Sequence, residues 1–279
     1  MKYALIVSKT DKAGMNIYEK LLNEYKFKET NKEFDSNKVF EKKIKENEFN
    51  LFLINEKQIF ADYVNKVPCD VIIFLSKHAS KVGTPSLTVH APGNWGKAEF
   101  GGKDFCLTPT YGSLIKSYYL DLLKRKEEFS LNEFEVSLEV SHHGPFLEKP
   151  NVFIELGSNE KGWNNESGAK AIIECVLNSS KINEKQKAVI GLGGGHYAPS
   201  FNRLLEKSDY CTTHICPLYA LPNLNKELLQ QAIDKSKESI EFIALDWKGL
   251  KKEKQRIIDL MDEMDLVWKK SNELYSEKN

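Results

Sequence analysis

The feature that most constrains the fold is an uninterrupted apolar run at residues 70–76, which read DVIIFLS. Such a run is too short for a typical helix and is typical of a central strand that is covered on both faces. Strands of this kind occur mainly in α/β proteins, where helices pack on both sides of a parallel sheet. The run therefore predicts an α/β fold with at least one strand in the middle of its sheet.

The remaining segments alternate in the same way between strands and helices. Further strands are predicted at 3–8, 39–43, 50–55, 86–90, 135–141, 151–156, 188–192, 210–215 and 239–245. Helices are predicted at 13–25, 113–128, 165–177, 199–207, 225–235 and 249–269. This order predicts a three-layer αβα fold around a mostly parallel mixed sheet. We expect a single α/β domain over residues 1–279, and the one lobe boundary that the sequence suggests lies near residue 110.

Charge and composition exclude several classes of protein. The 40 basic and 40 acidic residues cancel, so a nucleic-acid partner would be held by a local basic face and not by the overall field. No apolar run approaches the roughly 20 residues that span a bilayer, and the apolar start lacks the features of a signal peptide. The five cysteines are scattered without a CxxC pair. That pattern predicts a reducing, cytoplasmic setting without a disulfide framework.

Three basic segments are candidates for contacts with nucleic acid. They are residues 42–43, residues 124–126 and the cluster of Lys248, Lys251, Lys252, Lys254 and Arg256. Acidic residues interrupt most of them, so a solvated helix face is the simpler interpretation. Phosphate binding stays open for the last cluster. An exposed Trp95 or Tyr197 would be able to stack on a base or ribose.

Two of the six histidines stand side by side as His142 and His143. They follow residues 135–141, where apolar and polar side chains alternate as in a half-buried strand. Gly144-Pro145 then marks a turn. Neighbouring side chains on extended backbone point to opposite faces, so both rings reach one metal ion only if the chain bends there. The alternative is one histidine packed in the sheet and the other on the surface.

Carboxylates accompany this histidine pair. Glu139 lies on the same predicted strand and Glu155 lies on the next strand along the chain. Imidazoles and carboxylates together suit zinc, with one coordination position left for water. The sequence therefore indicates a candidate catalytic centre at the end of this strand.

A glycine run, Gly193-Gly194-Gly195, precedes His196 between a predicted strand and a predicted helix. Backbone N–H groups of such a loop can approach an anion or a developing oxyanion. The spacing matches neither the phosphate-binding loop that ends in GK[ST] nor the GxGxxG dinucleotide pattern. The loop is therefore a candidate site for an oxyanion or phosphate.

Other histidines carry less specific signals. His78 and His90 each follow an apolar strand, but a lone histidine is more often structural than a ligand. Cys211, His214 and Cys216 supply at most three ligands and match no standard zinc spacing. A buried strand that contains cysteines is the favoured interpretation of that segment. No GxSxG elbow is present, which disfavours a serine hydrolase of the α/β-hydrolase type.

Four stretches in series resemble the archaeal and plant type of D-aminoacyl-tRNA deacylase. They are residues 76–80 (SKHAS), 88–95 (TVHAPGNW), 139–145 (EVSHHGP) and 193–199 (GGGHYAP). Each stretch alone is common, whereas the four in this order are specific, and every histidine fits the family pattern. Similar sequence continues to about residue 247.

The resemblance implies a hydrolase that cleaves the ester between a D-amino acid and the 3′ ribose of tRNA. It also implies zinc dependence and a fold akin to those of phosphorylases, peptidyl-tRNA hydrolases and zinc exopeptidases. D-aminoacyl-tRNA is then the expected partner, no membrane is involved, and a monomer is expected.

The expected mechanism assigns a role to each candidate residue. The catalytic group is Glu139, His142, His143 and His196, and zinc is expected on members of the set His142, His143, His196 and Glu155. Zinc would polarise the ester carbonyl and lower the pKa of water toward about 7, and Glu139 would accept the proton. The expected substrate contacts come from His78, His90, Trp95, Gly193, Gly194, Gly195 and Tyr197.

Three alternatives remain open at this point. A metal-free hydrolysis would rely on the vicinal ribose hydroxyl and a positioned water. A peptidyl-tRNA hydrolase or zinc peptidase would cleave an amide. A non-catalytic tRNA-binding protein would bind RNA in a salt-sensitive way without turnover.

Overall fold

A large mixed sheet forms one part of the molecule, described here by a computed structural model of residues 1–178 and 186–275. Its strands are β1 (Lys2–Ser8), β2 (Lys28–Phe34), β3 (Asn37–Ile44), β4 (Asn47–Ile54), β5 (Val71–Lys77), β6 (Ser86–His90), β7 (Glu135–Leu138) and β8 (Asn151–Gly157). Their order is β2-β3-β4-β1-β5-β8-β6-β7. The run β4-β1-β5-β8 is parallel, whereas β6 is antiparallel to β8 and parallel to β7.

A smaller sheet follows later in the chain and is parallel throughout. It consists of β9 (Lys187–Leu192), β10 (Tyr210–Cys216), β11 (Ile240–Leu245) and β12 (Trp268–Lys270), in the order β10-β9-β11-β12. Because parallel strands end at the same edge, the loops that follow these strands meet along one side of the sheet.

Helices cover the sheets. They are α1 (Lys12–Asn23), α2 (Gly112–Glu128), α3 (Glu160–Trp163), α4 (Glu166–Leu177), α5 (Pro199–Lys207), α6 (Lys226–Asp234) and α7 (Lys254–Glu263). Side chains fix several of their starts: Asp11 Oδ1 accepts a hydrogen bond from Gly14 N at 2.7 Å, and Asn165 Oδ1 accepts one from Gly168 N at 2.7 Å. Such N-caps pair amides that the first helical turn leaves without a partner.

The segment after β7 joins the two sheets. Glu139 N still donates to Val89 O of β6, but Val140 N donates to His196 O and Ser141 N donates to Ile215 O, each at 3.0 Å. The largest hydrophobic cluster likewise contains residues of both sheets. The two sheets therefore pack around a common core, and their joint lies at residues 139–141.

The α/β class with a large, mostly parallel mixed sheet is confirmed. The strands lie in two sheets, and near the suggested boundary at residue 110 the chain contacts both parts: Asn151 N of β8 donates to Pro109 O, and Thr110 N donates to Lys235 O after α6. The predicted domain of residues 1–279 includes 179–185 and 276–279, which lie outside the described residues. In the described ranges, none of the helices has the length and apolar character that crossing a bilayer requires.

Three local expectations are wrong. Residues 28–34 form the unpredicted strand β2, and the strand predicted at 135–141 ends at Leu138 because the chain then turns to the smaller sheet. The closing helix predicted at 249–269 is a 3-10 turn at Lys251–Glu253, then α7 and β12. Lys251 and Asp265 have positive φ values of 50° and 51°, which interrupt a helix at both places.

Candidate active site

Five of the six histidines converge at the joint between the sheets. Each lies at or just beyond a strand end: His78 after β5, His90 at the end of β6, His142 and His143 after β7, and His196 after β9. The ring centroid of His142 lies 4.3 Å from that of His90, 4.3 Å from that of His143 and 4.7 Å from that of His196. The predicted bend is present, since His143 has a left-handed backbone with a φ of 47°.

Glu139 lies among these rings and is buried. Its Oε2 atom is 2.8 Å from His196 Nε2 and 3.6 Å from His142 Nε2. Its Oε1 atom is 3.0 Å from His78 Nδ1, but the alignment is too poor for a hydrogen bond, so this contact is an ionic one. The carboxylate is therefore surrounded by three imidazoles.

Strand β8 supplies the floor of the site through Phe153 and Glu155, which point to the same face because they are two residues apart. The Phe153 ring stacks on His90 with a centroid distance of 5.1 Å and an interplanar angle of 10°. Glu155 accepts a hydrogen bond from Ser76 Oγ at 2.6 Å, and its oxygens lie 3.5 Å from His78 Nδ1 and 3.8 Å from His90 Nε2.

The backbone holds three of the rings in one orientation. The Nδ1 atoms of His90, His142 and His143 lie 3.3, 2.8 and 2.6 Å from the carbonyl oxygens of Ala91, Val140 and Gly144 respectively. A carbonyl only accepts, so each Nδ1 carries a proton, and in the neutral form of each ring the lone pair is on Nε2. Metal-binding histidines show this arrangement.

Charge is distributed unevenly over the cluster. Burial alone would lower the pKa of His78, but the close carboxylates of Glu139 and Glu155 outweigh it and raise that pKa to about 11. Burial would raise the pKa of Glu155, yet the neighbouring imidazoles of His78 and His90 bring that pKa down to about 2. Burial and the neighbouring charge on His90 lower the pKa of His143 to about 4. Both carboxylates are therefore ionised at neutral pH, whereas His143 is neutral.

Two cavities open onto opposite sides of the histidine cluster and share Phe100, His142, His143 and His196. One, of about 380 Å³, extends toward Trp95, Tyr219 and Asn223. The other, of about 510 Å³, extends toward Asp11, His78 and Glu155. A substrate with two unlike halves would fit this arrangement, with its reacting bond beside the shared histidines.

The predicted metal ligands do not lie together as one set. His90, His142 and His143 form one group whose ligand atoms lie within 4.8 Å of one another, and His142 also belongs to a second group with Glu139 and His196. Glu155 belongs to a third group, with His78 and Glu139. None of these three groups contains all of His142, His143, His196 and Glu155, and the expectation that zinc lies on some members of that set stays a prediction.

The residues predicted to contact the substrate do not all lie in one part of the site. Trp95 lines the smaller cavity but is only 3% exposed and donates from Nε1 to Ile215 O at 3.1 Å, so its expected exposure is wrong. Tyr197 is 41% exposed, and its hydroxyl lies 3.0 Å from His78 Nε2. His78 and His90 lie in the cluster itself.

The glycine run lies behind His196 and borders neither of these two cavities. Gly193 N already donates to Cys216 O at 2.8 Å, so the expectation of an oxyanion donor at this residue is wrong. A Cβ atom on Gly194 would lie 2.8 Å from Asp246 Oδ2, whereas one on Gly195 would meet nothing. The run lets the loop pack closely against the β11–α7 connection.

The segment that contains Cys211, His214 and Cys216 is structural. His214 is fully buried on β10, with Nδ1 3.2 Å from Ser141 Oγ, and Cys211 and Cys216 are buried on the same strand. Burial raises the pKa of the Cys211 thiol to about 12. The interpretation of this segment as a buried strand is confirmed.

Two contributors to the site were missed in the sequence. Phe153 stacks on His90, and Tyr219 is 63% exposed in the smaller cavity with its hydroxyl 3.4 Å from His196 Nδ1. For Tyr219, the available signal was its place just beyond the end of a parallel strand. For Phe153 the sequence carries no such signal, because it resembles an ordinary core residue.

Imidazoles and carboxylates that converge at strand ends between two cavities define an α/β protein with a site of the hydrolytic type. A sequence profile of the family described as D-aminoacyl-tRNA deacylase matches residues 65–269. The chain belongs to the D-aminoacyl-tRNA deacylase family, as the resemblance of its motifs predicted.

Individual relatives agree with this assignment. The D-aminoacyl-tRNA deacylase of Pyrococcus furiosus is 40% identical over 271 residues, which cover 94% of this chain and 97% of the relative. The one from Methanococcus maripaludis strain C7 is 32% identical and covers 97% of this chain and 100% of the relative. The crystal structure of AF0625, a conserved protein of unknown function, superposes with a TM-score of 0.87 at 29% identity, covering 99% of this chain and 97% of that one.

Proposed function

We propose that this chain hydrolyses the ester between a D-amino acid and the 3′ ribose of tRNA, with a zinc ion assisting the attack of water. The observation that carries the proposal is Glu139, a buried carboxylate among imidazoles, at the point where the two cavities meet. Family membership supports the substrate, since the relatives are named D-aminoacyl-tRNA deacylases.

The donor atoms fit a zinc ion on His90, His142 and His143. All three rings have Nδ1 fixed on a backbone carbonyl, which leaves each Nε2 free to bind a metal. His90 Nε2 is buried and has no hydrogen-bond partner among the described residues, an arrangement that costs free energy unless another group occupies the position. Three imidazoles with an open fourth position are a known ligand set of catalytic zinc.

A zinc ion held there would lower the pKa of the attacking water toward about 7 and polarise the ester carbonyl. Glu139 would receive the proton of that water on its carboxylate, which the surrounding imidazoles keep ionised. His78, held positive by Glu139 and Glu155, would keep the two carboxylates from repelling each other. His196 and the Tyr219 hydroxyl would orient Glu139 Oε2 from the side of the smaller cavity.

Selectivity for D-amino acids would result from the shape of the space around the reacting carbon. With its carbonyl group and ribose in the same positions, an L-amino acid would direct its side chain into the histidine cluster. The resulting steric clash would exclude it. The Gly194 and Gly195 amides stay candidates for the terminal phosphate.

The test is hydrolysis of matched D-tyrosyl-tRNA and L-tyrosyl-tRNA, before and after chelation and after return of zinc. We expect fast, D-selective release that chelation abolishes and zinc restores. D-selective release that survives complete metal removal would exclude the zinc, and the absence of D-selective release would exclude the deacylase function. Cleavage of peptidyl-tRNA or of a peptide would instead favour an amide hydrolase.

The metal content of single variants separates the possible ligand sets. If zinc lies on His90, His142 and His143, His90→Ala loses zinc whereas His196→Ala retains it. The opposite result would place the ion between Glu139, His142 and His196.

A further inference from the structure

A group of lysines lies beside the histidine cluster without any part in the proposed chemistry. We propose that Lys248, Lys251, Lys252 and Lys254, here called the lysine surface, bind the phosphates of the tRNA acceptor strand. This inference rests on the proposed function, because it places the tRNA body relative to the ester. It assigns a binding surface to the edge of the smaller sheet at which its parallel strands end.

The lysine surface is a local excess of charge in a neutral chain. Residues 248–256 (KGLKKEKQR) carry five basic side chains and one acidic side chain, a net charge of +4, whereas the whole chain has a formal net charge of zero. A protein without an overall positive field binds a polyanion through a local patch of this kind.

Within the part of the chain that the structure describes, none of the four lysines is paired with an acidic side chain. Among residues 1–178 and 186–275, no salt bridge joins any of them to a carboxylate, and Lys248, Lys251 and Lys252 are exposed. Arg256 differs, because it pairs with Glu253 and donates to the carbonyl oxygens of Leu221 and Leu224. The Lys254 ammonium lies over the Trp247 ring, 4.3 Å from its centroid, so Lys248, Lys251 and Lys252 are the three exposed lysines of the surface.

The sheet places this surface next to the reacting groups. His196 follows β9 and Lys248 follows β11, and these two strands are neighbours in a parallel sheet. Neighbouring strands lie about 4.8 Å apart, so their following loops start side by side at the edge where α/β proteins bind ligands. The backbones touch, since a Cβ atom on Gly249 would lie 2.5 Å from Gly194 N, two residues before His196.

A cavity continues the surface past the His196 loop. It has a volume of about 420 Å³ and is lined by Pro199 and Ser200 at the start of α5, together with Arg203, Lys248 and Lys270. Asp246 and Glu273 also line it, and Lys270 pairs with Glu273 at 3.0 Å. Strand β12, which ends at Lys270, is the next strand after β11, so basic side chains follow one edge of the sheet away from His196.

A single-stranded acceptor end fits this arrangement. Its terminal ester must reach the histidine cluster, and the phosphates that precede the terminal nucleoside must leave the site along the protein surface. The lysine surface begins one strand away from His196 and supplies flexible ammonium groups that bind phosphates without reading the base. Sequence-independent binding suits an enzyme that acts on more than one tRNA.

The experiment compares two double variants of the whole protein on two substrates. Lys248→Ala/Lys252→Ala removes two exposed lysines of the surface, and Lys28→Ala/Lys32→Ala removes two exposed lysines from β2, at the far edge of the larger sheet. The substrates are D-tyrosyl-tRNA and the D-tyrosyl ester of adenosine, which has the same reacting bond but no phosphate.

For Lys248→Ala/Lys252→Ala we expect KM for D-tyrosyl-tRNA to rise roughly tenfold at physiological salt, with kcat unchanged. The slope of log KM against log salt should fall by about 1.4, which corresponds to two single-strand phosphate contacts. The adenosine ester should be cleaved as by the wild type, and the β2 variant should behave as the wild type on both substrates. An unchanged KM and salt slope on D-tyrosyl-tRNA would overturn the proposal.

Binding of uncharged tRNA separates this inference from the proposed function. If the wild type cleaves D-tyrosyl-tRNA but the lysine variant binds uncharged tRNA with unchanged affinity and salt dependence, the lysine surface is excluded and the deacylase function stands. If the wild type cleaves neither substrate but the lysine variant, and not the β2 variant, loses tRNA affinity, the deacylase function fails and the surface stands.

Discussion

Glu139 combines features that rarely occur together in a carboxylate. It is buried, yet the effect of burial is outweighed by the hydrogen bond with His196 and the ionic contact with His78, so its pKa lies well below the usual range. It follows the last residue of β7, where the backbone changes from one sheet to the other. Its position is therefore fixed by both sheets, and its charge is fixed by the imidazoles.

We expect Glu139→Gln to lower kcat for D-tyrosyl-tRNA by about 10²–10⁴-fold, the usual contribution of a general base. The amide keeps the shape of the side chain but cannot accept the proton of the attacking water. Zinc content should stay close to that of the wild type, and loss of zinc would identify Glu139 as a metal ligand instead. Glu135→Gln, on an exposed position of the same strand, serves as the matched control.

The loss of folding stability at acidic pH can be tested at one residue, His214. Burial and the charge of Lys235 lower its pKa to about 3 from an ordinary value of 6.5. Between those two pH values the unfolded chain binds a proton that the folded chain does not, so stability is lost as the pH falls. From pH 7 to pH 5 this residue alone should lower the free energy of unfolding by about 2 kcal/mol.

The variant His214→Leu should lack that part of the pH dependence. Ser141 Oγ keeps a partner, since it also accepts from Ile215 N at 3.1 Å. Urea unfolding at pH 7 and pH 5 measures the loss for each protein. Equal losses in the wild type and the variant would mean that His214 is protonated in the folded state as readily as in the unfolded chain.

At the scale of elements, strand β8 separates the chemistry from the core. Phe153 and Glu155 face the histidines, while Val152, Ile154 and Leu156 face the main hydrophobic cluster. One face of β8 therefore lines the candidate active site, and the other face packs in the hydrophobic core.

Substitutions on the two faces of β8 should have different effects. Phe153→Leu removes the ring that stacks on His90, and we expect at least a tenfold loss of kcat, because small displacements of reacting groups are costly. Its loss of stability should be about 1–2 kcal/mol. Ile154→Val should cost about 0.5–1.5 kcal/mol and leave kcat unchanged. Steady-state kinetics and urea unfolding of both variants provide the comparison, and equal kcat values would contradict it.

The sequence predicts elements well where a local pattern determines them. The apolar run at 70–76 lies on the buried strand β5 (Val71–Lys77), and the histidines that follow predicted strands lie close together. Strand β2 was missed because it is an exposed edge hairpin strand, rich in charge, whose side chains show no alternation. The burial of Trp95 cannot be predicted, because nothing near it in sequence reveals the Ile215 carbonyl that accepts a hydrogen bond from its indole. The possible metal ligands around Glu139 form separate groups because of the way the two sheets pack, and no local sequence pattern reveals that packing.

At the scale of the whole molecule, zinc binding should stabilise the fold, because a ligand that binds only the folded state adds its binding free energy to stability. At zinc concentrations about 100 times the dissociation constant, the gain is about 2.7 kcal/mol. For a chain of this size, that gain corresponds to a rise in Tm of about 5 °C or more over the chelated protein. Calorimetry should show this rise in the wild type and in His196→Ala. His90→Ala should show little of it, and a full rise there would exclude His90 as a ligand.

Because residues 139–141 bond to both sheets, the reacting groups come together only when the sheets have docked. Each sheet is able to form much of its own hydrogen bonding earlier, since its strands pair within the sheet. During refolding, the recovery of hydrolysis should therefore lag behind the recovery of secondary structure measured by circular dichroism. Activity at the proposed catalytic centre therefore reports the last step in the assembly of this protein.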